Sequence, residues 1–283
     1  MDNIVVESRP QMDRPIMVVA FRGWNDAGDA ASTAADFMVE TWGARRFAHI
    51  DPEEFYDFQV TRPTVGLESG TTRKIEWPEN AFWHARVNGR DVVLFVGIEP
   101  NLRWKTFSHQ MVGVAKEFGA TKLITLGAFL ADVPHTRKVP VVGSAGNPEE
   151  AETLGLAGSS YEGPTGIVGV VHELAIRSSL PSVSFWAAVP HYVPSGENPK
   201  AALALAKRFC SFAELTLDVS ELEPQAQAWE DSVSEQVREN EALTDYIQGL
   251  EESGNDLELE LSSGVDGLAE EIEKFLEQGE GEH

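Results

Sequence analysis

The sequence contains one cysteine, few basic residues and no long apolar run. Cys210 stands alone among 283 residues, which excludes an intramolecular disulfide and a cysteine-based structural zinc site. No apolar stretch approaches the roughly 20 residues that span a bilayer, and residues 1–15 lack the basic and apolar regions of a secretory signal. We therefore expect a cytoplasmic protein that has no membrane partner.

Acidic residues outnumber basic ones by 46 to 22, and the net charge is −24. Residues 221–283 hold 20 of the acids against only Arg238 and Lys274, so most of the excess charge lies in the last fifth of the chain. A polyanion would meet a repulsive field, which disfavours nucleic acid as a partner. The acidity suits solubility, and the alternative is an acidic docking surface for another protein.

The local signatures of several enzyme classes are absent. The sequence has no Gly-x-Ser-x-Gly nucleophile turn, no Walker-type phosphate loop, no Gly-x-Gly-x-x-Gly after a strand, and no His-x-x-x-His or paired-cysteine metal pattern. Its seven histidines are scattered along the chain. We therefore predict no cofactor and no metal, and these patterns assign no catalytic residue.

A strand–loop–helix junction at residues 16–41 is the most informative feature that is present. Residues 16–21 form a continuous apolar run of the length of a buried strand. A polar loop follows, in which Asn25 or Asp26 can cap the helix that the next apolar spacing predicts. Such junctions build parallel α/β sheets, in which ligand sites collect at the carboxyl ends of the strands.

The alternation of strand and helix continues along the chain. Further apolar runs predict strands at residues 45–50, 91–97, 122–127 and 182–189. Helical patterns separate most of these runs. We therefore expect an α/β fold, in which a mostly parallel sheet is covered by helices on both faces.

One insertion interrupts this order. Glycine and proline predict a loop at residues 61–70. Alternating patterns at residues 71–77 and 81–87, with a turn at 78–80, predict an antiparallel hairpin. We expect this hairpin to form an edge of the main sheet or a lid beside it.

The composition changes at residue 221, which divides the chain into an α/β domain at 1–220 and an acidic helical extension at 221–283. One helix face carries six apolar residues, with a break expected at 253–255 and a second helix over 265–276. This face must be buried on the α/β body, on a neighbouring helix or on another subunit. The six candidates for a partner or oligomer contact are Trp229, Val233, Val237, Leu243, Ile247 and Leu250.

Polar segments follow four of the predicted strands. If those strands are parallel, their loops lie along one edge of the sheet and can form a pocket. Histidine could then act as a general base, with arginine or backbone amides binding an anion. The candidates for this pocket are Asn25, Asp26, Glu99, Arg103, His135, Arg137 and His191.

The alternative interpretation of these residues is structural. Asp26 and Asp29 suit the first turn of a helix, where acids complement the helix dipole. Glu99 and Arg103 are four residues apart at a helix start and could form an ion pair. The sequence alone leaves both interpretations open.

Five segments together resemble the PAC2 family, whose members are similar to proteasome assembly chaperone 2. These segments are residues 21–31 (FRGWNDAGDAA), 97–104 (GIEPNLRW), 126–137 (LGAFLADVPHTR), 161–167 (YEGPTGI) and 187–192 (AAVPHY). The resemblance is to the long bacterial form, which has a C-terminal helical extension. It covers about residues 12–250.

The resemblance implies a three-layer α/β/α sandwich, related in shape to nucleoside phosphorylases and peptidyl hydrolases. Eukaryotic members are non-catalytic chaperones that hold proteasome α subunits, and no catalytic residue carries over to this chain. We therefore expect a non-catalytic, homo-oligomeric binding protein with a proteasome-like or other protein client. The alternative function is a small-molecule hydrolase or phosphorylase that uses the strand-end pocket.

Overall fold

The computed structural model describes residues 3–68, 72–146, 148–154, 156, 163–193 and 196–263. The strands are β1 (Ile4–Val6), β2 (Ile16–Arg22), β3 (Arg45–Ile50), β4 (Thr64–Glu68), β5 (Thr72–Glu76), β6 (Ala81–Val87), β7 (Arg90–Ile98), β8 (Lys122–Ala131), β9 (Val141–Ala145) and β10 (Ser182–Pro190). The helices are α1 (Ala30–Thr41), α2 (Trp104–Glu117), α3 (Pro148–Leu154), α4 (Ile167–Arg177), α5 (Pro199–Ala213), α6 (Leu222–Arg238) and α7 (Glu241–Ser263), with a short 3-10 turn at Ala27–Asp29 before α1.

Eight strands form one sheet in the order β1-β3-β6-β7-β2-β8-β10-β9. The four central strands, β7, β2, β8 and β10, are parallel to one another. The flanking strands pair antiparallel with their neighbours. The predicted α/β fold is confirmed, and the antiparallel flanks make the sheet a mixed one.

Helices cover both faces of the sheet because the central strands bury alternate side chains on opposite sides. Val18 and Ala20 of β2 pack in the cluster that contains α1 and α5. Met17, Val19 and Phe21 pack in the cluster that contains α2 and α4. The result is the three-layer arrangement of helix, sheet and helix that was predicted.

The predicted hairpin of residues 71–77 and 81–87 is wrong. Strand β6 lies inside the main sheet, because it pairs with β3 on one side and with β7 on the other. The turn that joins β6 to β7 is Asn88-Gly89, and both residues have positive φ, as a two-residue hairpin turn requires. Strand β5 pairs instead with β4, within the segment predicted to be a loop, in a separate two-stranded sheet.

The C-terminal helices also differ from the prediction. The expected single helix is divided at Glu239 and Asn240, where Asn240 Oδ1 accepts a hydrogen bond from Leu243 N and caps α7. The break expected at 253–255 lies within α7. The second predicted helix, at 265–276, falls outside the described residues.

None of the described helices combines the length and the apolar character that a bilayer crossing needs.

Candidate functional site

The four loops singled out in the sequence follow β7, β2, β8 and β10, which are adjacent and parallel. Their carboxyl ends therefore share one edge of the sheet, which we call the carboxyl edge. The polar side chains there have different partners. Asn25, Asp26 and Glu99 meet the first turns of α1 and α4, whereas His135, Arg137 and His191 lie against the loops and helices around α6 and α7.

Asp26 binds the first turn of α1. Its Oδ1 atom accepts hydrogen bonds from Ala31 N at 2.6 Å and from Ser32 N at 3.2 Å, and its Oδ2 atom accepts one from Ser32 Oγ. The formal capping position belongs to Asp29, which has a left-handed backbone and makes no capping hydrogen bond with its side chain. Asp26 thus satisfies helix amides from outside the helix, across the 3-10 turn.

The Asp26 carboxyl group is almost completely buried. This burial raises its pKa from 3.8 to about 6, although the hydrogen bonds from Ser32 and Ala31 act in the opposite direction. The cost of removing the charge from water therefore exceeds the stabilisation that these hydrogen bonds provide.

Both the backbone and the side chain of Asn25 contact neighbouring segments. Ala128 N donates a hydrogen bond to Asn25 O at 2.8 Å, which extends the β2–β8 pairing past the end of β2. The side chain is 7% exposed, and its Oδ1 atom has no hydrogen-bond partner. A Cβ atom at Gly166 would lie 1.9 Å from Asn25 Oδ1, so the start of α4 packs directly on this side chain.

Glu99 caps α4 from the loop after β7. Its Oε1 atom accepts a hydrogen bond from Ile167 N, the first residue of α4, at 2.9 Å, and Oε2 accepts a longer one from Trp24 N at 3.4 Å. A carboxylate at a helix N-terminus is favoured by the helix dipole and by unpaired amides. The structure therefore ties the loops after β2 and β7 to the start of α4.

The suggested ion pair between Glu99 and Arg103 is wrong. Arg103 is in the left-handed region, with φ of 55°, and it precedes α2. Its guanidinium group pairs with Glu54, and both side chains are half exposed. The left-handed backbone at Arg103 is a feature that four-residue spacing does not reveal.

His135 is buried, and both ring nitrogens have partners. Nδ1 lies 2.9 Å from Tyr192 Oη, and Nε2 lies 3.0 Å from Ser234 Oγ in α6. Burial lowers the His135 pKa, and the positive charge of Lys200 lowers it further against the opposing charges of Glu230 and Glu251. A neutral ring that carries its proton on Nε2 satisfies both contacts.

The remaining candidates also contact the C-terminal helices or their neighbours. Arg137 donates a hydrogen bond to the backbone oxygen of Glu251 in α7. His191 Nδ1 lies 3.0 Å from Asp132 Oδ1, and the same oxygen accepts a hydrogen bond from Tyr246 Oη at 2.6 Å. The ends of β8 and β10 are therefore connected to α7.

The six apolar residues predicted at a partner contact lie between or beside α6 and α7. Val233, Val237 and Ile247 are buried in one cluster, against which Trp229 and Leu243 pack. Leu250 is partly exposed. Tyr192 and Val193, which follow β10, join this cluster. The stripe therefore packs within the chain, and a contact with a second subunit stays a prediction.

Sequence reasoning missed two residues that organise this region. Asn198 caps α5, because its Oδ1 atom accepts a hydrogen bond from Ala201 N at 2.9 Å and Pro199 occupies the first turn. Asn followed by Pro is a helix-start signal that could have identified it. Lys200 donates to the backbone oxygens of His135 and Arg137 and pairs with Glu230. No local pattern predicts these long-range contacts.

The carboxyl edge can thus stabilise helix ends more readily than it can hold a metal. Within the part of the chain that the structure describes, no cluster of three or more His, Cys, Asp or Glu side chains has an arrangement suited to a metal ion. The acids at β2 and β7 accept hydrogen bonds from helix amides, and burial lowers the pKa of His135.

The chain thus has a three-layer α/β/α architecture with polar, helix-capping loops at one edge of its sheet. The PAC2 family model matches residues 20–237. This range includes the whole of β7, β8 and β10, the last three residues of β2 and all of α6 except Arg238. The chain belongs to the PAC2 family. Among curated proteins, none matches the chain.

Solved structures support this assignment. A PAC2 family protein from Streptomyces avermitilis is 46% identical, with a TM-score of 0.78, over 82% of this chain and 99% of that one. A proteasome-assembly chaperone homologue from Mycobacterium tuberculosis is 43% identical, with a TM-score of 0.75, over 82% and 99%. PbaB of Pyrococcus furiosus, an archaeal proteasome activator, shares the fold at 19% identity and a TM-score of 0.65, over 82% and 97%.

Proposed function

We propose that the protein is a non-catalytic, chaperone-like binding protein whose partners are proteasome components. The observation that carries this proposal is that the acidic side chains at the strand ends accept hydrogen bonds from helix amides. Asp26 binds amides at the start of α1, and Glu99 binds the amide that begins α4. Groups committed to helix ends are poorly placed to transfer protons to a substrate. This favours a function in binding other proteins over a function in catalysis.

The relatives indicate which kind of partner to test. The Mycobacterium tuberculosis relative is a proteasome-assembly chaperone homologue, and its 43% identity over nearly its whole length favours a shared role. The proteasome α subunits of the source organism are therefore the partners to test first. We also propose that the protein acts in the cytoplasm as a homo-oligomer.

The domain division is part of the same proposal. We propose that residues 1–220 form the α/β/α domain and that residues 221–283 form an acidic extension, of which α6 and α7 contact the ends of β8 and β10. Contacts of α6 with α5 support this arrangement, through the pairs Lys207–Glu223 and Lys200–Glu230.

Binding to separated proteasome α subunits tests this proposal. The full chain is mixed with purified α subunits, and complex formation is followed by light scattering after gel filtration. Ring assembly is followed on native gels with and without the full chain. We expect a complex and a changed rate of ring assembly. Absence of both, with a folded protein at micromolar concentration, would contradict the proposal.

The alternative, a small-molecule hydrolase or phosphorylase, stays a prediction. One observation favours it: the pKa of about 6 at Asp26 lies in the range of groups that exchange protons near neutral pH. The substitution Asp26→Asn keeps the shape of the side chain and removes its proton exchange. An activity that the wild type shows and this variant lacks would favour the enzyme.

A further inference from the structure

The two-stranded sheet and its base carry several of the most exposed large apolar side chains among the described residues. We call residues 58–68 and 72–77 the arm, which contains β4 and β5. Val65 and Leu67 are each 64% exposed, and Ile75 is 54% exposed. At the base of the arm, the ring centroids of Phe58 and Trp77 lie 4.9 Å apart, and Trp77 is still 50% exposed.

Strand pairing collects these side chains on one face of the arm. Val65 is directly opposite Ile75, and Leu67 is directly opposite Arg73, so all four point to the same side. The other side carries Glu76, whose carboxylate lies over Gly66. The arm is therefore amphipathic, with an apolar face that ends in a positive charge.

An isolated two-stranded sheet is marginally stable in water, and a contiguous apolar surface of this kind marks an interaction site. The exposure of Val65, Leu67 and Ile75 shows that the described chain leaves this face uncovered. Among the described residues, this face is therefore open to contact with a second molecule.

Charge indicates which molecule that is. Within β4 and β5, the apolar face of the arm carries Arg73 and no acid, in a chain whose net charge is −24. Residues 222–252, which we call the helix pair, contain nine acids and one base. Asp231, Glu235, Glu239, Glu241 and Asp245 of the helix pair are exposed. The helix pair also offers apolar surface, since Tyr246 is 39% exposed and Trp229 is partly exposed.

The arm and the helix pair lie towards opposite ends of the carboxyl edge. The arm connects β3 to β6 and is fastened beside β7, where Asp57 N donates to Asn101 Oδ1 at 3.0 Å. The helix pair contacts the ends of β8 and β10 instead. With a strand spacing of about 4.8 Å, β3 and β10 are separated by roughly 24 Å across the sheet.

We propose that the arm of one copy docks on the helix pair of a second copy, so that the chain assembles head to tail. The apolar face of the arm covers the partly exposed apolar residues of the helix pair, and Arg73 meets its acids. Such a contact uses two different patches on each subunit, and it closes into a ring when the rotation between subunits permits. This inference rests on the homo-oligomer of the proposed function, for which it names the contact, and it is independent of any proteasome partner.

Oligomer mass tests the contact in the full chain. The variant Val65→Thr/Ile75→Thr keeps β-forming residues but removes the apolar contact. We expect an association constant at least tenfold lower than that of the wild type, because each substitution removes apolar area from the contact and buries a hydroxyl group there. The matched control is Lys74→Thr/Glu76→Thr on the opposite face, which conserves net charge and should assemble like the wild type.

Mixing two defective chains locates the second patch. The variant Glu235→Lys/Asp245→Lys keeps the arm and reverses charge on the helix pair, and by itself it should also assemble poorly. Mixed with the arm variant, it should form a one-to-one dimer that does not grow, because one arm and one intact helix pair remain. Circular dichroism confirms that each variant is folded.

Three results would overturn the inference. The first is a wild-type chain that stays monomeric at every concentration. The second is an arm variant that assembles like the wild type. The third is a mixture of the two folded variants that shows no association.

Discussion

Asp26 provides the most direct energetic test of the interpretation that the strand-end acids are structural. Its pKa rises from 3.8 to about 6 on folding because burial removes the carboxylate from water. The folded state therefore binds a proton more readily than the unfolded state between these two values. By linkage, the stability that the protonated form provides is complete below pH 3.8, and it is lost as the pH rises through about 6.

The size of the effect follows from the two pKa values. A difference of one pKa unit corresponds to about 1.4 kcal/mol, so the ionised Asp26 lowers the free energy of unfolding by about 3 kcal/mol near neutral pH. The variant Asp26→Asn keeps an oxygen that can accept from Ala31 N and Ser32 N, and its amide can donate to Ser32 Oγ. It removes the charge with little change in shape.

The assay is urea unfolding of wild type and Asp26→Asn between pH 4 and pH 7.5. We expect similar stabilities at the acid end and a more stable variant at neutral pH, with the difference growing by about 2.4 kcal/mol between pH 4 and pH 7.5. The difference between the two proteins must be used, because other groups in the chain also titrate over this range.

Asp29→Asn serves as the control, because it removes an exposed charge from the same loop. A difference between wild type and Asp26→Asn that is constant with pH would refute the reasoning. So would a wild type that gains stability over the variant as the pH rises, since that would show that the helix amides stabilise the charge by more than burial costs.

Two further predictions concern neighbouring packing and titration. Gly166→Ala should lower the free energy of unfolding by about 1–3 kcal/mol, because its Cβ would lie 1.9 Å from Asn25 Oδ1. In Gly249→Ala, by contrast, the new Cβ in α7 meets open space, and the substitution should stabilise the fold by up to about 1 kcal/mol. Equal effects of the two substitutions in urea unfolding would contradict this. His172, whose Nδ1 atom lies 2.7 Å from Ser182 Oγ, has its pKa lowered to about 4 by burial, so the wild type should lose stability as the pH falls from 6.5 towards 4. His172→Gln should lack this part of the acid sensitivity, and an unchanged pH profile would show that folding does not lower the pKa of this ring.

Long apolar runs and the polar loops after them were enough to predict the central sheet. Residues 16–21, for example, lie in β2 with both faces buried, and a buried parallel strand has this continuous apolar pattern. The common edge of the four loops followed from the same reasoning. Each of these features depends on local sequence and on the parallel order of the strands.

Features that depend on pairing partners were harder to predict. The Asn88-Gly89 turn is a strong hairpin signal, and giving it weight would have placed β6 beside β7 and freed β5 to pair with β4. Asn240 before Glu241 similarly marks the start of α7. In contrast, the contact of Lys200 with the backbone of His135 joins residues 65 positions apart, and no local pattern contains that information.

The most direct test of the central claim compares partner binding by the wild type and by the double variant Asp26→Asn/Glu99→Gln. Both substitutions keep oxygens that accept from the helix amides, and both remove the ability to act as an acid or base. Dissociation constants for proteasome α subunits are measured by calorimetry on folded, full-length chains. The account predicts equal affinities and equal effects on ring assembly. A folded double variant that binds like the wild type but loses the effect on assembly would contradict it, because a proton-transfer role would then be required.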